Sequence, residues 1–319
     1  MLKELGIEIS RDVLISAGNK LADLLTPIVI YMLLEIKRGT LAQMDESPIV
    51  VARRDSSGKS KYKRKSYYWS ILDGKQVVFT YTGNRNYCNV EEILGKDFSG
   101  VLLSDGYQAY QEYSRSNPDC ALALCWDHAR RKFHDIKDTE PLASEALEQI
   151  KVFYRIEKEI KALLAEEKLP PDKVPKYRKE HALPALNKFK QWCEIVRDAP
   201  EVLPKDDLMG ACSYVINHWE GLTLYLEYGF VPISNILAEH QNRNLKLGAK
   251  NWLFAASEVG AHTIAIMNSL VCTCKMNGIN ILEYFTDILG RLDTDTAKDL
   301  TPLAWMEEQK QKITNENSA

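Results

Sequence analysis

Two short runs rich in aromatic and β-branched residues, 67–72 and 76–81, flank the dipeptide Asp73-Gly74. Residues of those types favour strands, and an Asp-Gly pair supplies the backbone geometry of a tight hairpin turn. An antiparallel pair is therefore expected here, and it limits what the surrounding chain can build. Residues 49–52 read as another short strand ahead of it. After it, residues 84–94 have helical spacing, 100–103 read as a buried strand ending at Asp105, and 121–125 as a fifth strand.

Three strands, a helix, a strand, a helix and a strand is the ribonuclease-H-like order, so the expected fold is α/β: a mixed sheet with helices. Residues 1–40 have helical spacing, with Pro27 as an interruption or the start of a second helix. From 128 to 228 the chain turns to long charged amphipathic segments, 145–166 and 172–197, punctuated by Pro170-Pro171, Pro200 and Pro204. An all-helical insertion is the economical interpretation. Residues 258–278 and 281–292 are again helical in spacing, and from about Lys310 the chain is polar enough to fray. The expected organisation is an N-terminal helical segment 1–40, the first part of the core 41–135, the insertion 136–230, completion of the core with C-terminal helices 231–305, and a polar tail 306–319.

With 319 residues, 45% hydrophobic and 27% charged, the chain has the composition of a folded globular protein rather than a disordered one. The longest uninterrupted apolar run, 28–34, is far below the roughly 20 residues needed to span a bilayer, and no secretion signal is recognisable. No membrane contact is expected. Seven scattered cysteines, an odd number, read as reduced thiols and point to the cytoplasm. A net charge of −3 excludes a simple basic nucleic-acid coat, so DNA contact requires local patches. The best patch is Arg53, Lys59, Lys61, Lys63, Arg64 and Lys65 with Tyr62, Tyr67 and Tyr68 interleaved; a solvated hairpin loop explains it equally well.

Two acids stand at informative places. Asp45, in Met44-Asp45-Glu46-Ser47-Pro48, lies just before an expected strand, where an acid is either a solvated turn residue or a ligand. Asp105 ends an apolar strand, and Gly106 lets the backbone turn sharply, the place where ligands gather in sheets flanked by helices; capping of the next helix is the competing role.

Four ordered blocks resemble the insertion sequence 66 family of transposases. They are Asp45-Glu46-Ser47-Pro48, similar to the family's Asp-Glu-Thr-Pro; Ser104-Asp105-Gly106-Tyr107 with Tyr110; Cys125-Trp126-Asp127-His128-Ala129-Arg130-Arg131-Lys132-Phe133; and Lys250-Asn251-Trp252-Leu253-Phe254 with Thr273-Cys274-Lys275-Met276-Asn277-Gly278. The third block differs from the family pattern only at Asp127, where Ala is common. The family's third acid lies in a segment like Ile-Asp-Asn-Asn-x-x-Glu-Arg-x-x-Arg-Pro, and the matching stretch from Ile233 to Asn244 puts Glu239 on that acid without a gap. Departures there are Ser234, Ile236, His240 and Asn244, and later Ala249, in place of Asp, Asn, Arg, Pro and Arg.

The resemblance implies a DDE-type transposase in which Asp45, Asp105 and Glu239 hold two Mg2+ (or Mn2+) ions about 4 Å apart. It implies hydrolysis of a phosphodiester at an element's end and in-line attack of the freed 3′ hydroxyl on target DNA. It further implies double-stranded DNA as partner, a homo-oligomer on that DNA, and a cytoplasmic, nucleoid-associated location when bound. Family members commonly carry DNA-end-binding regions ahead of the catalytic part. The expectation is a truncated product, a decayed copy, or half of a split frame with an accessory protein for end recognition. The competing readings are a catalytically inactive remnant that retains DNA binding and a helical interaction protein without a nucleic-acid role.

Around the acids, His128, Arg130, Arg131, Asn235, Arg243 and Lys250 are expected to support the site or contact DNA. For His128 a hydrogen-bonded structural role competes, and for the two arginines a solvated helix face. Cys125-x-x-His128 resembles half of a zinc site, but the other half is missing, and Cys272 and Cys274 read as small core hydrophobes. Trp252 and Phe254 read as core anchors in preference to base-stacking platforms.

Overall fold

The computed structural model describes residues 9–54, 60–199 and 206–316. By contacts the chain divides into two units, Met1–Phe98 with Ala238–Ala319, and Ser99–Leu237. The strands are mixed in direction, antiparallel in the first unit and parallel in the second.

The first unit begins with helix α1 (Arg11–Arg38), capped by the Ser10 side chain. It runs unbroken through Pro27, so the proline neither interrupts it nor starts a second helix. Its buried stripe, Ala22, Leu25, Ile28, Val29, Met32 and Ile36, follows helical periodicity. By length and composition alone α1 also suffices to cross a membrane. A count of uninterrupted apolar runs misses this, because single polar residues such as Asp23 break an otherwise apolar window. Strands β1 (Leu41–Arg54), β2 (Ser60–Leu72) and β3 (Val77–Thr82) follow as an antiparallel meander. The Asp73-Gly74 hairpin forms as expected, with Gly74 at φ +94° and the Asp73 carboxylate accepting the amides of Lys75 and Gln76. β1 is far longer than residues 49–52, so Asp45 and Glu46 lie inside the strand rather than ahead of it. Helix α2 (Tyr87–Leu94) closes this stretch.

The second unit opens with the parallel pair β4 (Gly100–Ser104) and β5 (Cys120–Leu124), joined through α3 (Gln108–Ser116). Helices α4 (Trp126–His134), α5 (Pro141–Ala165), α6 (Val174–His181), α7 (Leu183–Arg197), α8 (Asp207–Asn217) and α9 (Trp219–Thr223) complete it. The amphipathic segment 172–197 opens with a short 3-10 turn at Pro171–Lys173 and is broken at Ala182 into α6 and α7. Pro200 and Pro204 lie outside the described residues. The core centres on Trp126, fully buried, whose indole N–H donates to the Leu222 carbonyl at 2.7 Å and whose ring meets Phe153 edge-on at 4.9 Å.

Helix α10 (Ile236–Trp252) leads back into the first unit, followed there by α11 (Glu258–Met276), α12 (Ile281–Leu289) and α13 (Pro302–Glu316). α11 covers the outer edge of β3 with hydroxyls: Ser269 accepts the Phe79 amide at 2.9 Å, and Thr273 accepts the Val77 amide at 3.0 Å. An otherwise open strand edge is thereby satisfied. α13 continues to Glu316, so the polar residues after Lys310 extend a helix where fraying was expected.

Candidate active site

In the first unit the alternation of a β-strand sends adjacent acids to opposite faces. Glu46 is buried and pairs with the Arg85 guanidinium. Asp45 faces the other way, half-buried, and its Oδ2 accepts the side-chain amide of Asn242 at 2.8 Å. The Asp45 carbonyl accepts the Ser70 hydroxyl at 3.1 Å, which ties the strand to its neighbour. Asn242 is fully buried on α10, three residues after half-buried Glu239. Residues three apart share a helix face. The fold therefore brings the face of α10 that bears Glu239 to the strand that bears Asp45.

The fourth sequence block explains how α10 ends. Leu253 adopts φ +62°, an uncommon conformation for a side chain of that kind, and reverses the chain. Ala255 then exchanges backbone hydrogen bonds of 2.9 Å with Val50 and Ala52 on β1. This segment is thus tied to the strand of Asp45 at Asn242 and again at Ala255. Phe254 is half-buried, in keeping with an anchor, while the Trp252 side chain lies outside the described residues. Arg243 and Lys250 are exposed on α10.

In the second unit Asp105 follows β4. Its Oδ1 accepts the Tyr107 amide at 2.8 Å, and Gly106 takes φ +83°. A side chain at 106 would also press on Leu124 at 3.3 Å, so only glycine suits the turn. The Asp105 carbonyl accepts the hydroxyl of Tyr214 from α8 at 3.1 Å. Burial, and then the nearby Asp105 charge, push the Tyr214 hydroxyl well above its ordinary pKa, so it remains a donor at neutral pH. Lys132 lies 4.6 Å above the Tyr214 ring.

The third block forms the start of α4. The Cys125 thiol accepts the Asn235 amide at 3.1 Å, and burial pushes its pKa up to about 11. Asn235 is fully buried, His128 and Arg130 are half-buried, and Arg131 is exposed. Asp127 is buried, receives Nε of Arg130 at 3.2 Å, and accepts a short hydrogen bond from the Ser234 hydroxyl. In the first unit Cys272 and Cys274 are buried on α11, in accord with packing as small hydrophobes. Of the basic patch, the side chains from Arg53 to Lys63 lie outside the described residues. Lys65 is exposed and sits 5.7 Å from the Tyr67 ring. Tyr68 is no stacking platform: it is 2% exposed and donates its hydroxyl to the Ala261 carbonyl.

Sequence reading missed Asn242 and Tyr214. Asn242 falls at an unspecified position of the third-acid segment and Tyr214 outside every block, and each matters through a partner more than 100 positions away, 197 for Asn242 and 109 for Tyr214.

These features define an α/β protein with one acid inside an antiparallel strand, backed by a helix, and another at the turn after a parallel strand. Residues 1–263 match the family described as Transposase IS66 family, and the chain belongs to that family. It is similar to three uncharacterized proteins of Sinorhizobium fredii (strain NBRC 101917 / NGR234). Protein y4jD is 25% identical over 95% of this chain and 61% of its own length, and y4qI is 28% identical over 90% of this chain and 54% of its own length. Protein y4hP is 28% identical over 61% of this chain and 37% of its own length. The chain thus spans between about a third and three fifths of these relatives.

Proposed function

We propose that this chain supplies the catalytic part of a DDE-type DNA transposase, with Asp45, Asp105 and Glu239 as the acids that hold two divalent cations, Mg2+ or Mn2+. The observation that carries the reading is the Asn242–Asp45 hydrogen bond, which brings the helix face of the family's third acid to the strand of its first. Membership of a transposase family supports it independently. A set of carboxylate oxygens is the donor chemistry that hard divalent cations take. Bound there, such ions stabilise charge on the attacking and leaving oxygens of a phosphodiester.

The protein's own groups act by position. Asn242 occupies one Asp45 oxygen and fixes the orientation of the other. The Asp105 turn is held by Gly106 and Tyr214. Exposed Arg243 and Lys250 on α10, with Arg131 on α4, offer cations to the DNA backbone, and half-buried His128 on α4 is assigned to the same supporting or DNA-contacting set. The ribonuclease-H-like fold, assembly as a homo-oligomer on DNA, an accessory protein for end recognition, and action on nucleoid DNA in the cytoplasm belong to the same proposal.

The test is cleavage of DNA bearing the flanking inverted repeats, with Mg2+ or Mn2+, by the natural chain and by D105N. The expected result is cutting by the natural chain alone. Equal products from both remove the enzyme reading, and binding of the repeats without cutting establishes an inactive remnant instead.

A further inference from the structure

Two buried polar side chains, Asp127 on α4 and Ser234 just ahead of α10, touch. The Ser234 hydroxyl donates to Oδ2 of Asp127, and the two residues are only 7% and 8% exposed. Ser234 Oγ also accepts the amide of Ile236, the first residue of α10, at 3.1 Å. The other Asp127 oxygen takes Nε of Arg130 at 3.2 Å.

We infer that Asp127 and Ser234 act together as a positioning pair for the start of α10, with the carboxylate supplied from α4 and the capping oxygen from residue 234. An Asp ahead of a helix caps a free amide directly and adds negative charge at the positive end of the helix. A Ser offers the capping lone pair but no charge, and its own hydrogen needs an acceptor once buried. Asp127 meets both needs. It accepts that hydrogen, polarises the hydroxyl toward the Ile236 amide, and returns a charge to the amino end of α10 one residue contact further out. A neighbouring tether shares the load, since the Asn235 amide is taken by the Cys125 thiol.

Because α10 carries Glu239, the functional side of the inference rests on the proposed function, whereas the pairing itself does not. The test is a double-mutant cycle of D127A, S234D and D127A/S234D, read by thermal unfolding and by Mn2+-dependent cleavage of repeat-bearing DNA. D127A strands a buried hydroxyl and Arg130, and S234D sets two carboxylates against each other in a buried site. Each single change is expected to lower Tm by about 3–6 °C and cleavage by about tenfold. The double change, which moves the carboxylate from residue 127 to residue 234, is expected to return Tm to within about 2 °C and cleavage to within about threefold. Losses that simply add in the double variant overturn the inference. Where a single variant does not fold, the double decides: a folded double supports the pairing and an unfolded one overturns it. If the natural chain does not cut DNA the proposed function fails, and the Tm cycle alone decides the pairing.

Discussion

Asn242 donates its side-chain amide to Oδ2 of Asp45 across 2.8 Å, linking residues 197 positions apart. A buried amide on a carboxylate restricts that carboxylate's rotation and leaves one oxygen for other partners. N242L keeps the branching of Asn, at a larger volume, and removes the donor. If Asp45 is a metal ligand, N242L is expected to raise the Mn2+ concentration for half-maximal cleavage by roughly tenfold or more. An unchanged metal requirement counts against the assignment of Asp45.

Asp45 and Glu46 are adjacent in sequence yet make opposite predictions. Glu46 is buried in an ion pair with half-buried Arg85, so E46Q removes the charge on the buried side of the pair and is expected to cost about 1–2 kcal/mol, less than a fully buried pair because solvent reaches Arg85. Thermal unfolding should show a clear fall in Tm, with residual cleavage in protein that remains folded. D45N keeps the shape of a half-buried side chain, and it is expected to shift Tm by little while abolishing metal-dependent cutting. The reverse pattern would exchange the roles of the two acids.

How much of this was legible in the sequence depended on range. The hairpin at Asp73-Gly74 and the positions of β4, Asp105 and β5 follow from local chemistry, namely turn geometry and apolar runs, and were readable. The full length of β1 was not, because Gln43, Asp45 and Glu46 look polar until the partners that accommodate them are known; Glu46 is satisfied by Arg85, far outside any window around the strand. The same reason hid Asn242 and Tyr214, whose roles exist only through long-range hydrogen bonds. The continuity of α1 through Pro27 and of α13 past Lys310 shows tertiary packing and helix continuation prevailing over residue preference.

The Cys125 thiol, raised by burial to about 11, gives a signed pH dependence. A thiol whose pKa is higher folded than unfolded binds its proton more tightly in the native state, so its contribution is fully present below about pH 9 and is lost as pH rises toward 11. Two units correspond to an upper bound of roughly 2–3 kcal/mol. Tm is therefore expected to fall between pH 9 and 11, with a shallower fall for C125S, which does not ionise there but still offers an acceptor to Asn235. Identical slopes for the two proteins would show that alkaline unfolding starts elsewhere.

Tyr214 separates a structural from a catalytic role for Asp105. Its hydroxyl grips the Asp105 carbonyl, not the carboxylate, so Y214F leaves the acid chemically intact and loosens only its backbone. Loss of one part-buried hydrogen bond is expected to cost about 1 kcal/mol of stability. If Asp105 holds a cation, the loosened turn should also slow cleavage by several-fold, and saturating Mn2+ should recover part of that loss because the carboxylate is still present. D105N should lose cleavage at every metal concentration. Should Y214F lower Tm as expected yet cut at the natural rate, the turn after β4 is merely a well-capped loop, and the second acid must be sought elsewhere.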